Sequence, residues 1–81
     1  MLEAVGKQIR TKLVSVLGDL RAQELVEEVL GEMGVSKLET PEHRLDFGRR
    51  LVKRGGLYAV LGHSIQTQAI LHGARLLPEA S

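Results

Sequence analysis

The chain has 81 residues, 43% hydrophobic and 26% charged, the composition of one small globular domain. Lys and Arg number 11 against 10 Asp and Glu, and a net charge of +1 excludes a strongly basic nucleic-acid domain and an acidic tail. There is no cysteine, which excludes a disulfide framework, a thiolate metal site and a thiol nucleophile.

The first helix is predicted from about Leu2 to Leu17, where Leu2, Val5, Ile9, Leu13, Val16 and Leu17 recur at spacings of three and four. Gly18-Asp19 supplies a terminating glycine and an N-cap in two residues, so the next helix, about Leu20 to Met33, is expected to run antiparallel beside the first. Its apolar face is Ala22, Leu25, Val26, Val29, Leu30 and Met33, and Glu24, Glu27, Glu28 and Glu32 face water. Thr40-Pro41-Glu42 is a helix start: Thr caps, Pro presets φ, and Glu meets the positive end of the helix dipole. The third helix runs from Pro41 to about Arg54, with Leu45, Gly48, Leu51 and Val52 inward and Phe47 at the margin. Gly55-Gly56 stops it, and the fourth helix runs from about Leu57 to Leu76, with Pro78 closing the chain. The expected fold is a compact all-α, four-helix domain with short connections, spanning residues 1–81 as one unit.

The fourth helix lacks a single apolar stripe, and a helix apolar nearly all round is surrounded. A chain this short has too small a core to cover it, so it is expected to form a homo-oligomer interface; the alternative is a well-covered central helix of the monomer. Leu61, Gly62, Ile65, Ala69, Ile70 and Gly73 are the expected contact, the small residues admitting a second backbone. Ser64, Gln68 and His72 form a polar stripe among these apolar residues, with Arg75 at its end. Their hydrogen-bond partners would come from a two-fold-related copy, or from loop backbone and water.

Charge is segregated along the chain: residues 1–18 carry +2, residues 19–39 carry −4 and residues 40–54 carry +3. The basic stripe Arg49, Arg50, Lys53 and Arg54 offers an anion or partner site: phosphate backbone, an acidic partner protein, or the second helix of another subunit. Against these stands a solvated face with cations near the helix C-terminus. Phe47 and Tyr58 are the only aromatics, too few for a stacking platform, and a helix-turn-helix alignment would put Pro41 inside its recognition helix. Gly55 and Gly56, beside Lys53 and Arg54, read either as an anion seat or as a plain turn needing positive φ.

No catalytic, metal or cofactor site is expected. His63 and His72 are nine residues apart on opposite sides of their helix, without a carboxylate within two turns. Gly62-His63-Ser64-Ile65-Gln66 is not a nucleophile elbow, and Gly56 to Ser64 has neither the spacing nor the lysine of a phosphate loop. The stretch from Leu57 to Leu77 contains His63, Gln66, Gln68, His72 and Arg75, which are costly in hydrocarbon. Met1 to Lys7 lacks the basic region of a secretory signal, so a cytoplasmic location is expected and no membrane partner. The expected function is a small non-enzymatic interaction or regulatory module, homodimeric or higher, assembled through the fourth helix. The alternatives are phosphate contact by the third helix, with nucleic acid as partner, and an enzyme subunit whose site forms between chains near His63 or His72.

Overall fold

The computed structural model describes residues 2–73. A short 3-10 turn, Leu2–Val5, precedes four helices: α1 (Lys7–Leu17), α2 (Asp19–Met33), α3 (Pro41–Arg54) and α4 (Gly56–Leu71). There is no strand among the described residues. The chain closes on one main core, and its radius of gyration of 11.9 Å is near the roughly 12 Å expected at this length.

The first predicted helix is two elements. Gly6 has φ 88°, a left-handed value that side-chain-bearing residues avoid, and the helical ladder restarts after it. The break turns Val5 into the core beside Ile9 and Leu13, whereas Val16, expected on the same stripe, is 45% exposed. Gly18 both ends α1 and caps α2; Asp19 is the first residue of α2 and its side chain makes no cap bond. The α2 stripe is buried as its spacing demands: Ala22, Leu25, Val26, Val29 and Leu30 all lie in the core. Leu38 closes the connection to α3 by donating its N–H to the Ala4 carbonyl at 2.7 Å.

At the start of α3 the Thr40 hydroxyl accepts from the His43 N–H at 3.1 Å. His43 adds a reciprocal bond, its Nδ1 accepting from the Glu39 N–H at 3.1 Å, so this ring belongs to the cap. Phe47, expected at the margin, is fully buried and is among the largest side chains of the core.

α3 and α4 form an antiparallel hairpin joined through Gly55, and theirs is the closest pairing in the fold. Two glycines make it close. A Cβ on Gly48 would stand 2.8 Å from the Gly62 carbonyl oxygen; one on Gly62 would stand 2.8 Å from the Val52 nitrogen and would collide with the Gly48 carbonyl. Each glycine lies seven residues from Gly55, so an antiparallel turn brings them face to face. Further out, Leu45 and Ala69 bury one another.

α4 ends at Leu71, five residues before the expected Leu76. Residues 74–81, which include Arg75, Leu76 and Pro78, lie outside the described residues. No described helix is long and apolar enough to cross a membrane.

Candidate functional site

The hairpin corrects the expected contact surface. Leu61, Ile65 and Ala69 are at most 4% exposed, and Gly62 is buried with them. All four pack inside their own chain, against α3 or the main core. Only Ile70 and Gly73 of the six expected residues remain exposed. The cause is local: the close backbone approach that the small residues of α4 allow is taken up by Gly48 of the same chain.

The exposed side of α4 carries instead Leu57 at 59%, Val60 at 66% and Leu71 at 73%. Thr67 lies among them, its hydroxyl donating to the His63 carbonyl at 3.0 Å. From Gly56 to Leu71 there is no Asp, Glu, Lys or Arg, so this face is uncharged as well as apolar. Every other helix shows charged side chains to water.

The basic stripe is largely neutralised within the chain. Arg54 bridges Glu28 at 3.0 Å and Glu32 at 2.9 Å, both on α2. Arg50 lies 3.1 Å from Asp46, one turn earlier, and 3.6 Å from Glu32. These pairs tie the acidic stripe of α2 to the basic stripe of α3 within one subunit. Arg49 and Lys53 stay exposed and make no ion pair among the described residues. Nearby, Arg21 Nε donates to the Tyr58 hydroxyl at 2.9 Å and its guanidinium sits 5.7 Å from the ring centroid. That hydroxyl holds the charge of Arg21 and raises its pKa.

The polar stripe of α4 faces α1. Ser64 Oγ accepts from Lys12 Nζ at 2.5 Å, and Gln68 and His72 line a groove beyond it. The groove has a cavity of about 220 Å³ bounded by the N-terminal half of α1, the second turn of α3 and the end of α4. Val5, Ile9 and Ile65 are its buried apolar floor, and Lys7, Lys12, Arg44 and His72 stand on its walls. Among the described residues no carboxylate lines it. Nothing in the periodicity of the sequence pointed here, because Lys7 and Lys12 come from α1 and Arg44 from α3, far apart in the chain. The one visible signal was an all-basic α1, whose Lys7, Arg10 and Lys12 have no acidic residue within the helix.

The remaining sequence candidates stay apart. His63 is exposed on the outer side of α4, away from His72 at the groove. Among the described residues no group of three or more His, Asp or Glu side chains gathers in a metal-holding arrangement. Gly55 and Gly56 have φ 78° and 57°, so the turn itself accounts for both glycines. Comparison with protein-family models finds no match, and comparisons with curated proteins and with solved structures find none either.

Proposed function

We propose that the chain is a small non-enzymatic interaction module that self-associates through the outer face of α4. The observation that carries this is the uncharged strip formed by Leu57, Val60 and Leu71, exposed along a helix about 24 Å long at 1.5 Å per residue. Large exposed apolar side chains on one side of a helix favour an association surface. A second copy is the occupant that fits. Two such faces oppose each other with no like charges in contact, and a two-fold contact needs a self-complementary patch. An acidic or basic partner would gain no charge complement here. One helix face per subunit is at the small end of specific interfaces, so the dimer is expected to be weak and concentration-dependent. The cysteine-free composition suits a reducing compartment, and the proposal includes the cytoplasm as the place of action.

The test is sedimentation equilibrium of the parent and of Val60→Glu/Leu71→Glu over a wide concentration range, with circular dichroism as the check on folding. The expected result is a reversible dimer for the parent and a folded monomer for the double variant. A parent that stays monomeric up to its solubility limit, or a variant that dimerises equally well, overturns the proposal.

A further inference from the structure

We infer that the groove between α1, α3 and α4 is a binding site for a small organic anion with a hydrocarbon body. Its walls bring Lys7 and Lys12 of α1 together with Arg44 of α3, and among the described residues no lining carboxylate offsets them. Arg44 and Lys7 make no ion pair among the described residues, in contrast to Arg50 and Arg54, which the fold pairs with α2. Lys12 gives one of its three donors to Ser64, which holds the ammonium at the groove wall with two donors left. The side-chain amides of Gln8 and Gln68 add neutral donors on the same walls. The groove also opens on the first turn of α1. Gly6 has no side chain to cap it, and the partial positive charge of that helix end adds to the cations.

The floor defines the rest of the ligand. Val5, Ile9 and Ile65 are between 1% and 6% exposed and present branched aliphatic side chains beneath the cations. A carboxylate or phosphate head would meet Lys7, Lys12 and Arg44 while a short hydrocarbon body covers the floor. The cavity of about 220 Å³ suits a short hydrocarbon body rather than a long chain. The groove continues along α1 past Thr11 and Ser15, so a polar substituent has room to leave it.

Amide chemical-shift titration of the isotope-labelled chain tests this, with hexanoate and butyl phosphate as ligands and hexanol and inorganic phosphate as controls. Saturable shifts are expected at Lys7, Gln8, Ile9, Arg44 and Gln68 with one or both ligands, and weaker binding of both controls. The tighter ligand identifies the head group. Lys7→Gln/Arg44→Gln should keep the parent's spectrum elsewhere and bind at least about tenfold more weakly. Arg49→Gln/Lys53→Gln, two cations outside the groove, should leave affinity unchanged. The inference is overturned if neither ligand produces localised shifts. Hexanol binding as tightly as hexanoate overturns the role of the cations, and inorganic phosphate matching butyl phosphate, an adventitious ion only, overturns the role of the floor. Equal losses from the two double variants reduce the effect to net charge and overturn the site.

Discussion

Gly62→Ala is the sharpest perturbation of this fold. The new methyl would stand 2.8 Å from the Val52 nitrogen and from Val52 Cγ2, and it would collide with the Gly48 carbonyl as well. Non-bonded carbon contacts want about 3.5 Å or more, so α3 and α4 must move apart by several tenths of an ångström. Two of the three obstructing groups are backbone atoms of a helix and cannot rotate away. Overpacking of this kind costs about 1–3 kcal/mol, and rigid neighbours place Gly62 near the top of that range. Replacing a mid-helix glycine by alanine returns roughly 0.5–1 kcal/mol of backbone entropy. The net loss expected is therefore about 2 kcal/mol, or a fall of roughly 8–16 °C in Tm for a domain of this size. Thermal and urea melts followed by circular dichroism measure it, and the loss should not depend on protein concentration. Gly31→Ala is the control. Gly31 lies on exposed α2 surface with no atom within 4 Å of an added Cβ, and the substitution should stabilise by about 0.5–1 kcal/mol. A Gly62→Ala chain as stable as the parent would refute the hairpin packing. So would one whose only change is lost association, since that would return Gly62 to an intersubunit contact.

Ala69→Glu should unfold the chain rather than merely dissociate it, because Ala69 is 1% exposed and packs on Leu45; a folded chain by circular dichroism would count against that burial. Thr40→Ala should cost about 1 kcal/mol in urea melts, since the His43 N–H loses its acceptor; an unchanged midpoint would show that the hydroxyl does not stabilise the helix start. Arg54→Gln should cost up to about 1 kcal/mol at low salt and less at high salt, because it removes both bridges to α2; Arg49→Gln should cost nothing measurable, and equal effects would contradict the pairing.

Local chemistry decided much of this protein by itself. The capping set Thr40-Pro41-Glu42, the turn glycines at 18 and 55, and the Leu25/Val26/Val29/Leu30 stripe act within one or two helical turns, so four helices and most of their limits were legible from spacing. Gly6 was the local exception: a single glycine is tolerated inside a helix, and only packing shows that the chain turns there to bury Val5. The destination of each face was a tertiary matter. α4 is apolar on nearly all sides, so its periodicity could not separate the side that meets α3 from the side left open. Steric fit made that choice, because Gly48 and Gly62 admit a backbone contact that no bulkier pair allows. The two glycines stand symmetrically about Gly55, a readable sign once α3 and α4 are taken as a hairpin. Charge behaved likewise: the segregation of acidic α2 from basic α3 was plain in the sequence, but whether they would pair within one chain depended on α2 and α3 lying side by side. The cationic groove was the least legible feature, because it joins α1, α3 and α4, and only folding brings Lys7, Lys12 and Arg44 around one apolar floor.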